Sequence, residues 1–148
     1  MITIIISRLF MGLDITARIV KIDDIKIVKE YQKLNWPKVQ AGEMTIGDYG
    51  KNYPKFNSRS INASEYGVRN FWGLRKFFIE KLGINGETVF VLNRNEIETT
   101  LKAADTYKLP DIDYWSYLNK CDEVATVCRT ALNECDFDTE VVEFFFCY

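Results

Sequence analysis

The chain has 148 residues, 19 Lys+Arg against 21 Asp+Glu for a net charge of −2, with 47% hydrophobic and 14% aromatic residues. That length and composition fit one folded domain with its own core, 1–148, and exclude a disordered or low-complexity chain. Histidine is absent, which excludes Ser-His-Asp and Cys-His arrangements, HExxH metal sites and any imidazole acid–base step.

In chain order, Ile2–Ile6 reads as a short β-branched strand or a tail, with residues 1–10 a candidate N-terminal extension. Ile15–Ile22 alternates, placing Ile15, Ala17 and Ile19 on one face, and predicts a strand. Asp23-Asp24 offers an N-cap for a helix over Ile25–Leu34, stopped at Trp36-Pro37. Residues 38–62, punctuated by Gly42, Gly47, Gly50 and Pro54, read as one long loop. Ser64–Leu82 predicts a helix with Val68, Phe71, Trp72, Phe78 and Leu82 on one stripe, capped by Asn62 or Ser64 and closed by Gly83. Thr88–Leu92 predicts a central strand, and Asn93 caps a helix over Arg94–Tyr107. Leu109-Pro110-Asp111 breaks the chain before a long helix over Tyr114–Asn133. A turn over Asp136–Thr139 leads to a last apolar strand, Val141–Cys147. Two helices run consecutively, so the order predicts an α+β domain, helices packed on one face of a small mixed β-sheet.

No chemistry-bearing motif is complete. Gly47-Asp-Tyr-Gly50-Lys51 lacks the loop length and the Ser/Thr of a phosphate-binding P-loop. Asp111-Ile-Asp113 lacks the glycine and glutamate of a calcium loop, and Asp136-Phe-Asp138 with Glu140 reads as a solvated turn. Cys121, Cys128 and Cys135 recur every seven residues along one helical stripe. Successive members rise ~10 Å, too far apart for a disulfide or a shared metal, so reduced thiols in a core or seam are expected. No catalytic residue, metal or cofactor is expected. With no apolar run of spanning length and no basic leader, the expected location is cytoplasmic.

Charge is segregated. Residues 111–148 hold 2 basic and 9 acidic side chains, whereas residues 1–110 hold 17 basic and 12 acidic. The net balance counts against a general nucleic-acid binder. It points instead to an acidic surface for a basic partner, with Asp111, Asp113, Asp122, Glu123, Asp136 and Asp138 as the candidate binding residues. A second candidate site lies in the long loop. There Lys51, Lys55 and Arg59 interleave with Tyr53 and Phe56, a composition able to hold phosphate by charge and a base by stacking.

Met11-Gly-Leu-Asp14 leading into a strand, the aromatic and basic run Glu65–Trp72, the strand-then-helix Val89–Leu101 and the Phe-rich Glu143–Phe146 resemble a family of small uncharacterised bacteriophage and prophage proteins. The family's aromatic helix often carries histidine; this chain has none. The resemblance implies phage origin and a bacterial host cytoplasm. The function expected is that of a phage accessory protein, not an enzyme, that binds a host macromolecule. Its most concrete form is a counter-defence inhibitor covering a host immune protein, as anti-CRISPR proteins do. The alternative is a small-ligand or nucleotide-sequestering protein using the loop residues. A third reading makes the cysteine stripe the seam of a homodimer or larger self-assembly.

Overall fold

The computed structural model describes residues 12–148 apart from 63, 65 and 66. The expected strand Ile2–Ile6 lies outside the described residues. Among those described, five helices and five strands form an α+β fold. Strand β1 (Asp14–Lys21) pairs on one side with β5 (Glu140–Cys147) along its whole length. On its other side it meets two short strands, β2 (Ser58–Ser60) and β3 (Val68–Arg69). Among the described residues, strand β4 (Val89–Leu92) pairs only with β5 and forms the far edge. Every ladder is antiparallel, where the sequence had suggested a mixed sheet with Thr88–Leu92 at its centre. The alternating burial of β4 marks it as a strand with one covered face.

The register divides the side chains into two sets. Rows Ile15–Phe146, Ala17–Phe144–Phe90 and Ile19–Val142–Leu92 share one face and are buried. Helices α3 (Trp72–Glu80), α4 (Arg94–Asp105) and α5 (Tyr117–Glu134) cover this face, contributing Leu74, Phe77, Phe78, Ile97, Val124 and Cys128 to one continuous core. Phe78 sits at its centre, with ring centroids 5.5, 5.1 and 6.0 Å from those of Phe90, Phe144 and Phe146. Each such phenyl contributes about 1.5–3 kcal/mol by leaving water. Cys121, Cys128 and Cys135 are buried in this chain's own core and are free thiols. The stripe is therefore internal packing and offers no seam to a second copy.

The other face carries the rows Thr16–Phe145–Val89, Ser60–Arg18–Glu143–Val91 and Ser58–Val20–Val141. Helix α1 (Ile22–Gln40) leaves the end of β1 and, with α2 (Ile46–Lys51), forms a hairpin beside this face. The helix starts earlier and ends later than Ile25–Leu34. Lys21 is the N-cap, and Asp23 and Asp24 lie in the first turn, where they favour the positive end of the dipole. Pro37 does not stop it; one backbone bond is lost in the last turn. There Trp36 packs edge-on to Tyr49 of α2, and Tyr49 and Tyr53 close around Tyr31. Tyr31 also donates its hydroxyl to the Tyr49 carbonyl. The expected long loop thus contains a Thr45-capped helix and strand β2.

The largest departure from expectation is Ser64–Leu82. Its first part is the strand pair of β1, and α3 begins only at Trp72. Asn62, expected as the helix cap, instead accepts from Ala17 N–H (2.7 Å) and holds the β1 edge. Gly67 takes a left-handed φ of 70°, and a Cβ there would meet the Ile15 carbonyl oxygen at 2.1 Å. Backbone approach, not helical periodicity, decides this segment.

Candidate functional site

Two surfaces combine exposure with convergent chemistry. The first is the connection between α4 and α5. Leu109 is buried and its carbonyl accepts from the Tyr117 hydroxyl, anchoring the loop in the core. Pro110 crosses α3 so closely that a Cβ on Gly73 would lie 2.0 Å from the Pro110 oxygen. The Asp113 carboxylate then accepts from the N–H groups of Trp72 and Gly73, both at 3.0 Å. It supplies the N-terminal cap that α3 lacks in its own sequence. Ser116, in the left-handed region at φ 60°, turns the chain into α5.

What this fixed loop displays is apolar. Tyr114 is 78% exposed and Trp115 64%, their ring centroids 6.2 Å apart, with Ile112 and Leu118 also exposed. Asp111 adjoins Ile112. Asp122 lies one turn beyond Leu118 on α5 and accepts from the Tyr107 hydroxyl at 2.9 Å. An exposed apolar set with a charged rim is the composition of an interaction surface, and Trp and Tyr are the residues that most often anchor one. Both basic side chains of the C-terminal quarter are used elsewhere. Lys120 is buried and donates to the Asn70 carbonyl (2.7 Å), and Arg129 pairs with Asp105 at 2.6 Å.

The six acidic residues singled out in the sequence do not form one surface. Asp111 and Asp122 rim the aromatic loop, while Asp113 is occupied as a helix cap. Glu123, next to Asp122, is half-buried; burial raises its pKa and Lys120 opposes the rise. Asp136 and Asp138 lie beyond the other end of α5, whose 18 residues rise about 27 Å. The Asp136 carboxylate is spent within its own turn, on Asp138 N–H and the Thr139 hydroxyl, both at 3.2 Å. The exposed aromatics themselves were missed. Adjacency alone gave no signal of exposure, since the adjacent Phe77 and Phe78 of α3 are both buried.

The second surface is an open groove of about 1480 Å³ between the second sheet face and the α1–α2 hairpin. Arg18 and Glu143 oppose each other on its floor, paired at 2.8 Å. The Arg18 guanidinium also stacks over Phe56, 4.8 Å from the ring centroid. Of the loop residues expected to bind a ligand, Tyr53, Lys55 and Phe56 line this groove, whereas Lys51 and Arg59 do not. Arg59 points to the helix-covered side, where it pairs with Glu140 at 2.9 Å and donates to the Glu134 carbonyl. Tyr53 accepts from the Gln32 amide at 2.9 Å; burial first, then Tyr49 and Glu143, raises its pKa.

Among the described residues no group of three Cys, Asp or Glu side chains is placed to hold a metal ion, and no helix is long and apolar enough to cross a membrane. No protein-family model, curated protein or solved structure matches this chain.

Proposed function

We propose that the protein is a binding protein without catalytic activity, docking a basic surface of a partner protein on the aromatic loop between α4 and α5. The observation that carries this reading is the outward display of Tyr114 and Trp115 on a loop pinned from behind by Asp113 and Leu109. A pinned loop loses little conformational freedom on association, so its apolar area is available for affinity. Asp111 and Asp122 at the rim, within an acidic C-terminal quarter, steer a basic partner and set its orientation. In the setting implied by the resemblance to phage proteins, the partner is a host protein in the bacterial cytoplasm and the action is coverage of its working surface. An inhibitor of a host immune protein, comparable in mode to anti-CRISPR proteins, is the concrete form.

The test compares tagged wild type, Y114A/W115A and D111K/D122K chains in capture from a nuclease-treated bacterial lysate. One basic protein is expected at near-stoichiometric yield with wild type. It should be lost with Y114A/W115A, and be weaker and less salt-sensitive with D111K/D122K, while all three chains melt alike. Equal retention by all three overturns docking on the loop.

A second reading, a small-ligand or nucleotide-sequestering protein, is favoured by one observation: Tyr53, Lys55 and Phe56 converge on the groove.

A further inference from the structure

One wall of the groove over the second sheet face holds Asn85, the only asparagine of this sequence that is followed by glycine. The connection from α3 to β4 is fastened on both sides of it. Ile84 N–H donates to the Phe78 carbonyl at 3.0 Å, and the Glu87 carbonyl accepts from Arg75 Nε at 3.1 Å. Asn85-Gly86 lies between these points, outside every described helix and strand. Asn85 is exposed, and neither residue forms a hydrogen bond among the described residues. Gly86 is there for the fold. A Cβ on it would lie 2.6 Å from the Val89 carbonyl oxygen and 3.1 Å from the Phe90 ring, so the bend into β4 favours glycine. The same lack of a side chain leaves the Gly86 nitrogen open to the side-chain amide carbon of the residue before it.

We propose that Asn85-Gly86 is a self-modification site at which the chain converts Asn85 into aspartate or isoaspartate, with water as the co-reactant. The Gly86 nitrogen, having lost its proton to solvent base, forms a bond to Asn85 Cγ. The bond from Cγ to Nδ2 breaks, and the nitrogen leaves as ammonia with a proton from solvent, which closes a succinimide ring. Water then adds to one of the two ring carbonyls and opens the ring. Cleavage between the Gly86 nitrogen and Cγ gives aspartate. Cleavage between that nitrogen and the backbone carbonyl carbon gives isoaspartate, whose main chain runs through the side-chain carbons. Arg18, Lys29 and Lys55 are the basic side chains that line the groove, and Glu143 is the acidic one. Conversion adds a second carboxylate to that lining and lowers its net positive charge, so anything held there by charge meets a changed surface. Asparagines nearby are held. Asn62, on the same groove, accepts from Ala17 N–H at 2.7 Å and donates to the Ser60 hydroxyl at 2.9 Å. Asn93 accepts from Glu96 N–H at 3.0 Å as the cap of α4, with Arg94 after it. The site is independent of docking on the aromatic loop.

The experiment holds the whole folded chain in warm, mildly alkaline buffer and follows it by tryptic peptide mapping, with the chain in denaturant as the reference. Trypsin releases Leu82–Arg94 as one peptide that carries both Asn85 and Asn93. In the folded chain Asn85 is expected to convert about as fast as in denaturant, while Asn93 and Asn62 stay intact. Both aspartate and isoaspartate are expected as products, since both follow from one ring. The rate should rise with pH, because the attacking nitrogen must first lose its proton. By ion exchange, wild type should gain a more acidic species with time. N85Q, which alters one exposed side chain, should melt alike and gain none. Asn85 left intact in the folded chain under conditions that convert it in denaturant, conversion without isoaspartate, or the same acidic species from N85Q overturns the proposal.

Discussion

Asp113 shows how one side chain can decide a local structure from forty residues away in sequence. Its two hydrogen bonds satisfy orphan N–H groups at the start of α3 and fasten the displayed loop at the same time. D113A is expected to cost about 0.5–2 kcal/mol, the usual loss of an N-terminal cap, read as a lowered melting temperature. G73A should cost about 1–3 kcal/mol, because the Pro110 carbonyl occupies the place of the new methyl group. Thiol chemistry gives a further check. Burial pushes Cys128 up to about 12 and Cys135 up to about 11, and raises Cys121 as well, while Cys147 is exposed. A native chain at neutral pH should therefore take up one alkylating group by mass spectrometry, and the unfolded chain four. The Arg59 guanidinium beside Glu140 holds that carboxyl below its ordinary 4.5. A depressed folded-state value means the pair stabilises fully above about pH 4.5, and that stabilisation is lost as pH falls through the folded value. Wild type should accordingly lose more stability than E140Q on acidification through that range. The cysteine spacing made a buried stripe legible, in a core or a seam, and the fold places it in the core. The cap was not legible, because a carboxylate acting across the fold leaves no local pattern.

At the scale of elements, what local chemistry encodes was readable and what backbone approach encodes was not. Asn93 and Glu96 form a reciprocal capping box with both bonds at 3.0 Å, and α4 begins where the sequence placed it. β1 and β5 follow their alternation within a residue or two. The apolar stripe over Ser64–Leu82, by contrast, fits a helix equally well up to Trp72, yet Val68 and Arg69 are drawn into pairing with Asp14 and Ile15. Pro37 stays helical because aromatic packing of Trp36 and Tyr31 against α2 offsets the single bond it removes. The phenyl cluster is the element-level centre of stability. F78A should cost about 3–5 kcal/mol by thermal or denaturant unfolding, since the cavity would be walled by three rigid rings.

For the molecule as a whole, the sequence made the α+β class, the charge segregation and the absence of complete catalytic motifs legible. It did not make the display surface legible, because exposure of Tyr114 and Trp115 depends on how α3, α4 and α5 meet. The acidic quarter is dispersed: Asp111 and Asp122 rim the aromatic loop, Asp113 caps α3, Asp136 is satisfied within its own turn, and Glu140 and Glu143 pair with Arg59 and Arg18. The groove likewise draws Arg18 and Glu143 from strands 125 residues apart in sequence. The central claim is that the aromatic loop is the docking surface. The most direct measurement is the hydrogen-exchange footprint of the wild-type chain with and without its captured protein partner. Slowed exchange across residues 107–122, with residues 53–62 unchanged, is the expected result. Protection confined to residues 53–62, or exchange unchanged in both segments, would contradict it.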